Sequence, residues 1–385
     1  MAKYIYPGDH LATGQFDQHT NALDPLAHHA HDASEFIRHP AHAKPGIHVF
    51  PDKLYVLTML ENPLRFRARY RNYWRFQDHM EQGGAILYTA EIAFGGRRFE
   101  ITDPANLRHL QLRTFCEFWH KENALNLLAQ RLPPDCRYIA VLDADIQFAR
   151  PDWAQEILHL LQHYDVIQPF SDAQDLGPND EPLPGHGSKS FLYRWSEQGI
   201  PPHDEAFLEN PKLKWTVNGA IEQRRSTTYA TPYAANVEGW HPGLAWCYRR
   251  SAWDQLGGLM DWLPTGSGDW HMANALIGNL TNSVDPRHTP GYLRNCRLWE
   301  ERAIAIRDNP NGGLGYMPGL LLHSFHGTKA NRQYQHRHKF VINMQFDPDY
   351  DLKRDSQGLW QLTDRNPKLR DGLRLYARMR DEDSR

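Results

Sequence analysis

The stretch Tyr138-Ile-Ala-Val-Leu-Asp-Ala-Asp-Ile-Gln-Phe148 constrains the fold more than any other part of the chain. Its first five residues carry little polarity and predict a central strand buried on both faces. Asp143 and Asp145 then leave the carboxyl end of that strand, which is where open α/β sheets place their ligands. Side chains alternate along extended backbone, so both carboxylates are expected on one side, with Ala144 leaving room between them. Two carboxylates so placed suit a hard divalent cation, Mg2+ or Mn2+. Such a cation keeps positions open for phosphate oxygens and makes a nucleotide diphosphate the natural third party. The competing reading is an ordinary strand end with two solvated acids.

A chain of 385 residues is long enough to bury a large core. Its formal charge of −3 gives no global field to hold nucleic acid or membrane by charge alone, so any basic surface must be local. The sequence has no apolar run of the roughly 18 residues that a membrane span needs. Its start, Met1-Ala-Lys-Tyr-Ile-Tyr-Pro, lacks the apolar core of a signal peptide, so a cytoplasmic protein is expected. Cys116, Cys136, Cys247 and Cys296 are scattered without C-x-x-C spacing, which argues against a disulfide framework or a zinc knuckle.

Residues 1–50 form a His- and Pro-rich arm without a clear period, and a metal role for His28-His29-Ala-His31 finds no fixed ligand spacing. A body over 51–340 follows. Lys53–Leu60 reads as its first strand, 64–81 as an amphipathic helix, Ala85–Phe94 as a second strand, and Asn106–Arg131 as a second helix ending before Pro133-Pro134. After the Asp143 strand come a helix over Asp152–His163 and a short strand over Asp165–Phe170. Strands alternating with helices predict a three-layer α/β fold with a mostly parallel sheet. Residues 171–235, rich in Pro, Gly, Asn and Ser, read as a long insertion or lid, and 341–385 as a C-terminal extension that is helical over Pro367–Arg380.

Two further clusters bear chemistry. Around Gly266-Ser-Gly-Asp269 the glycines allow close backbone approach, and a helix starts there over His271–Ile277. Asp269 is then a helix-capping residue, or also a carboxylate able to take a proton from an attacking hydroxyl. Trp240, Trp246, Trp262 and Trp270 crowd the same stretch, either as core or as flat faces for a sugar or base. The other cluster runs from Leu320 to Arg337. An apolar strand delivers His323 and His326, of which His326 beside Gly327 is the preferred metal ligand. Lys329, Arg332 and Arg337 follow as cations for a diphosphate.

In this order the three clusters resemble the GT-A glycosyltransferases, over about residues 53–340. The strongest match is the D-x-D strand. The familiar acidic segment has Glu where Gly268 stands, which leaves the base assignment and the stereochemistry open. The run containing Arg113, Lys121-Glu-Asn123 and the Asp143 strand is also similar to transferase-like proteins of tailed phages and bacteria. The resemblance implies a GT-A, Rossmann-like fold and transfer of a sugar from a UDP- or GDP-sugar to a hydroxyl. Metal would sit on Asp145 and His326, with Asp143 on the ribose or a metal-bound water. Asp269 would be the base, Thr58 and Glu61-Asn62 would lie by the nucleoside, and Arg113, Lys121, Lys329 and Arg332 would reach the phosphates. Trp240, Trp246, Trp270 and His271 would form the acceptor side.

The helix Arg65-Phe-Arg-Ala-Arg-Tyr-Arg-Asn-Tyr-Trp-Arg-Phe76 interleaves five arginines with five aromatics, a composition suited to phosphates and bases. A 5-hydroxymethylated pyrimidine in phage DNA is therefore one expected acceptor, flipped into the pocket or presented on a single strand, and a saccharide or small hydroxylated molecule is the other. The same carboxylate and His set also fits a metal-dependent sugar-nucleotide hydrolase or pyrophosphorylase. Pyrophosphorylases of this sheet type carry a Gly-rich basic loop after the first strand, which Glu61-Asn-Pro-Leu-Arg65 lacks. A noncatalytic binding module on the same fold is the third reading.

Overall fold

The structure is a computed structural model. It describes residues 52–199, 240–266, 268–328, 331 and 334–384, the side chains of 334–336 excepted. The His-rich arm over 1–50, the insertion from residue 200 to 235, Lys329 and Arg332 lie outside the described residues.

Leu54–Glu61 forms β1 and Tyr138–Leu142 forms β4, and nearly every side chain of both is buried. That is the signature of strands covered on both faces. They pair in parallel, with Leu57 opposite Val141. On the far side of β1 lies parallel β2 (Ile86–Phe94), and beyond it β3 (His109–Thr114), also parallel. Beside β4 the sheet continues through β10 (Ala245–Arg249), β6 (Val166–Gln168) and β11 (Leu314–Tyr316). Strand β10 runs antiparallel to both neighbours, and the other pairings of this seven-stranded sheet are parallel. The fold is thus mixed α/β around a mostly parallel central sheet.

Period-two alternation assigns the helices to the two faces. Tyr55 and Leu57 of β1 and Ala90 and Ile92 of β2 join one core with Leu125 and Leu128 of α2 (Lys121–Ala129). On the opposite face Thr89 of β2 hydrogen-bonds Tyr73 of α1 (Arg67–Gln82) at 3.0 Å. Burying these side chains contributes roughly 1.5–3 kcal/mol for each large apolar residue.

A second, five-stranded sheet carries half of the site. Its order is β5 (Ile146–Phe148), β12 (Leu320–His323), β7 (Asp172–Leu176), β8 (Pro182–Ser190) and β9 (Trp240–His241). The chain passes from the first sheet to the second across Asp143-Ala-Asp145, and the antiparallel register sets His323 opposite Ile146, one residue past Asp145. Helices α3 (Trp153–Leu160), α4 (Phe191–Gln198), α5 (Arg250–Leu256), α6 (Gly268–Leu276), α7 (Pro290–Arg307), α8 (Tyr334–Asn343), the short α9 (Pro348–Asp351) and α10 (Pro367–Met379) follow, with a 3-10 turn over Leu280–Asn282 between α6 and α7. The hairpin β13–β14 (Leu352–Arg354, Trp360–Leu362) lies between α9 and α10.

Helix α10 shows why the chain after 340 is ordered. Asn366 caps it through Leu369 N, Pro367 opens it, and Leu369, Leu373 and Tyr376 recur at helical spacing on the buried side. Helix α1 is capped differently. Phe66 offers it no side-chain acceptor, and the N–H groups of Arg67 and Ala68 instead donate to the Asp383 carboxylate at 2.9 and 2.8 Å.

Two expected elements differ. The helix expected over Asn106–Arg131 is strand β3 followed by α2. His-Leu-Gln-Leu-Arg-Thr alternates with period two, and a strand edge on β2 was available to it. The stretch expected to be irregular after residue 171 holds β7, β8 and α4, since β12 supplies the partner that recruits it into a sheet. Among the described residues no helix is long and apolar enough to cross a membrane.

Candidate metal centre and cleft

The carboxyl ends of β1 and β4 open into a cavity of about 210 Å³. Its wall includes Asp143, Asp145 and Lys121, then Gly243, Gly266 and Asp269, then His323, His326 and Arg337, and finally Tyr376, Arg380 and Glu382. The cavity lies where strand ends in open α/β sheets bind ligands.

Asp145, His323 and His326 form the one group among the described residues able to hold a metal ion, with all candidate ligand atoms within 4.8 Å of one another. Asp145 Oδ2 stands 3.1 Å from His326 Nε2, and Asp145 Oδ1 stands 3.7 Å from His323 Nε2. The two Nε2 atoms are 3.2 Å apart. The backbone holds this geometry, because Ser324 N donates to Asp145 O at 2.8 Å and Asn72 Nδ2 of α1 donates to Phe325 O at 3.1 Å. The outer nitrogens face acids: His323 Nδ1 lies 2.7 Å from Asp175 Oδ1, and His326 Nδ1 lies 3.4 Å from Glu382 Oε2. The Asp175 contact holds the His323 proton on Nδ1 and turns its Nε2 lone pair toward Asp145, and a proton on His326 Nδ1, facing Glu382, would turn the second lone pair the same way. The donor set fits a divalent cation, and two imidazoles favour Mn2+ over the strictly oxygen-seeking Mg2+.

Asp143, expected beside the metal, instead pairs with Lys121 through Oδ1. Burial raises the Asp143 pKa and Lys121 opposes that shift, while Asp145 adds to it. Burial pulls the Lys121 ammonium down, yet Asp143, Glu122 and Asp269 together hold it above its ordinary value. Glu122, one residue on, is pushed up to about 7 by burial, with Lys121 opposing and Asp269 and Asp143 adding.

Asp269 sits in the first turn of α6, and its Oδ1 accepts from Trp270 N at 2.9 Å. Its other oxygen lies over Gly243, where a Cβ would come within 2.4 Å of Oδ2, so only glycine leaves the carboxylate its place. The acid is therefore helix-anchored and on the cavity wall at once.

The other expected site residues fall in different places. Glu61 lines the cavity, but its Oε1 lies 2.8 Å from His120 Nδ1. Thr58 is fully buried and donates to Leu142 O at 2.8 Å, joining β1 to β4 inside the sheet and not at a nucleoside. Arg113 bonds Arg97 O at 2.8 Å, covers Phe99, and is not on the cavity wall. Trp240 and Trp246 are core residues; Trp246 Nε1 donates to Pro242 O at 2.7 Å. Trp270 packs edge-on against Phe191, and buried His271 meets Tyr292 Oη at 2.9 Å. The apolar density that suggested a stacking wall serves to fill the core behind the site. The aromatic rings that do line the cavity are Phe66, Phe118, Trp119 and Tyr376.

Residues that the sequence reading left unassigned include Asp175, Glu382, Arg69 and Glu122. No short motif marks the first three, which reach the site from β7, the segment after α10 and α1. His323 had a signal in the His-x-x-His spacing at a strand end.

No protein-family model matches the chain, and no curated protein matches it. Among solved structures it is similar to a mutant of Drosophila β-1,4-galactosyltransferase 7 in complex with manganese, UDP-Gal and xylobiose. The identity is 10%, with 83% of this chain and 98% of the other covered at a TM-score of 0.32. It is similar to glucosyl-3-phosphoglycerate synthase from Mycobacterium tuberculosis with Mn2+, UDP and phosphoglyceric acid, at 10% identity, 78% and 81% coverage and a TM-score of 0.31. A putative nucleotide-diphospho-sugar transferase from Desulfovibrio desulfuricans matches at 10% identity, 76% and 98% coverage and a TM-score of 0.28. Likenesses this weak carry no argument about chemistry, which rests on the side chains.

Proposed function

We propose that this chain is a metal-dependent glycosyltransferase of GT-A type that moves a sugar from a nucleoside-diphosphate sugar to a hydroxyl acceptor. The observation that carries this reading is the convergence of Asp145, His323 Nε2 and His326 Nε2 on a cavity whose wall also holds a separate carboxylate, Asp269. A bound divalent cation supplies neutralising charge to a departing diphosphate. Asp145, His323 and His326 hold that cation. Lys121 and Arg337 add fixed positive charge on the same wall. Lys329 and Arg332 follow His326 in sequence and keep their proposed part as diphosphate cations. Asp143, fixed by Lys121, is placed to accept from a ribose hydroxyl. Asp269, held against Gly243 and Trp270 N, takes the proton of the acceptor hydroxyl.

A saccharide or another small hydroxylated molecule fits the acceptor side better than DNA. Charge on and beside α1 is partly neutralised, since Arg69 pairs with Glu382 and Arg75 with Asp180, two of the helix's four arginines, and Arg65 just ahead of it pairs with Glu100. Asp269 is not one of the cation ligands and is left to take a proton from the attacking hydroxyl, an acceptor's in transfer or water's in hydrolysis, which the assay below separates.

Thermal shift with UDP, GDP and their sugars, with and without Mn2+, tests the reading, with Zn2+ and Fe2+ as competitors because they suit the same donors. Stabilisation by a nucleotide only in the presence of Mn2+, lost in Asp145→Asn, is expected. Full nucleotide binding by Asp145→Asn in chelator would sink the proposal. Release of free sugar at an unchanged rate whatever acceptor is added would favour the hydrolase.

A further inference from the structure

The segment that follows α10 enters the site from behind. Glu382 is buried, with its side chain 1% exposed, and it takes a fork of hydrogen bonds from Arg69: Nη2 to Oε1 at 2.7 Å and Nε to Oε2. Arg380 Nε donates to the same Oε1 at 2.6 Å, and Oε2 stands 3.4 Å from His326 Nδ1. The neighbouring residues fix this placement. Asp383 caps α1, and Asn331 Nδ2 donates to Ser384 Oγ at 3.0 Å. Gly327, at φ 83°, lies so close beneath that a Cβ there would stand 2.8 Å from Glu382 Cα and 2.9 Å from Asp381 O.

We infer that Glu382 is a positioning residue for the cation site, acting through His326. This deepens the metal-dependent reading above and rests on it. A carboxylate at Nδ1 fixes the imidazole tautomer and its ring orientation, so that the Nε2 lone pair points to Asp145. Arg69 and Arg380 hold Glu382 in place and spend their charge on it. The arrangement is a looser counterpart of Asp175 behind His323: Asp175 hydrogen-bonds Nδ1 at 2.7 Å, while the Glu382 oxygen faces His326 Nδ1 at 3.4 Å as an ion-pair contact. With both rings on the Nδ1 tautomer the two Nε2 atoms, 3.2 Å apart, would both present lone pairs that a cation between them accepts; with one ring on the Nε2 tautomer the same pair is a hydrogen bond. Glu382 belongs to the site although some 55 residues of chain separate it from His326.

The test is Mn2+ titration by electron paramagnetic resonance on the full chain, together with nitrogen-15 spectra that report which imidazole nitrogen carries hydrogen. Glu382→Ala is expected to weaken Mn2+ binding by about 10- to 100-fold. Glu382→Gln retains an acceptor oxygen and should recover part of that loss. Asp254→Asn, which alters only an exposed ion pair with Arg250 on α5, should bind like the parent. In the parent protein His326 should carry its hydrogen on Nδ1. Mn2+ binding by folded Glu382→Ala within about twofold of the parent overturns the inference, being far short of the loss expected for such a partner. A parent His326 protonated on Nε2 overturns it too, whatever the metal result. A parent that binds no Mn2+ but keeps the Nδ1 tautomer refutes the metal reading and leaves the tautomer assignment to Glu382 standing.

Discussion

Acidification should pull on this fold in two opposite directions, and single substitutions should separate them. Behind α6 lies a buried histidine group: His271 on α6, His288 ahead of α7 and His338 on α8, with Tyr292 stacked on His288 at 3.8 Å. Asp285, Arg287, Arg337 and Lys339 are its charged neighbours. Burial lowers His288 from 6.5 to about 4 and His271 to about 3, and drives His338 the same way.

At pH 5 these imidazoles are protonated in the unfolded chain and neutral in the fold, so stability is present above 6.5 and is lost as pH falls. Each group costs about 2 kcal/mol by about pH 5, or roughly 4 kcal/mol for His271 and His288 if they act independently. Glu122 works the other way. Its folded pKa of about 7 exceeds the open-chain 4.5, so the fold gains protons first as pH drops. That returns about 2 kcal/mol by about pH 5.

The parent protein should therefore lose at least about 2 kcal/mol between about pH 7.5 and pH 5, out of a total of about 5–15 kcal/mol, and more to the extent that His338 adds to His271 and His288. Urea unfolding followed by tryptophan fluorescence at both pH values measures this. His288→Phe keeps a ring against Tyr292 and should shrink the loss by about 2 kcal/mol, whereas Glu122→Gln should enlarge it by about 2 kcal/mol. If both variants show the parent's pH dependence, then neither group is held away from water as described, and the electrostatics drawn for the cleft are wrong.

Gly243→Ala should cut turnover at least about tenfold with little change in Tm, because its Cβ would displace Asp269 Oδ2; an unchanged kcat would show that the carboxylate does not need its place. Asp269→Asn should lower kcat far more than the KM for the donor, and equal losses in both would move Asp269 from proton transfer to donor binding. Lys121→Met leaves Asp143 without its ammonium and should destabilise by about 1–3 kcal/mol while weakening nucleotide binding, as read by urea unfolding and calorimetry. His323→Ala removes one of three candidate ligands and should abolish the Mn2+-dependent part of nucleotide binding, a result checked by the same thermal shift with and without metal.

The sequence carried the sheet's centre well, because buried parallel strands announce themselves as apolar runs: Tyr138–Leu142 and Leu54–Glu61 lie side by side as expected. That Asp145 and His326 come together was legible for a local reason, each following an apolar strand by three residues. His109–Thr114 was not, since alternation over six residues inside a longer helical pattern decides nothing until a neighbouring strand edge exists. The tryptophans misled because stacking walls and cores draw on the same residue types. Glu382 and Asp175 were invisible for a topological reason. Their role arises only when β7 pairs with β12 and the segment after α10 folds across α1, and no spacing rule spans such distances.

The cap on α1 has a consequence for how the molecule is made. Arg67 and the acid that satisfies its backbone amide are 316 positions apart. A ribosome working at about 5–20 residues per second needs roughly a quarter of a minute to a minute to cross that interval. Through that time the first turn of the helix emerges with bare amide hydrogens, and Arg69 waits for its counter-charge. Assembly of the cleft is thus a late event in biosynthesis, and a nascent chain stalled before Glu382 should already hold its central sheet while lacking a finished cation pocket.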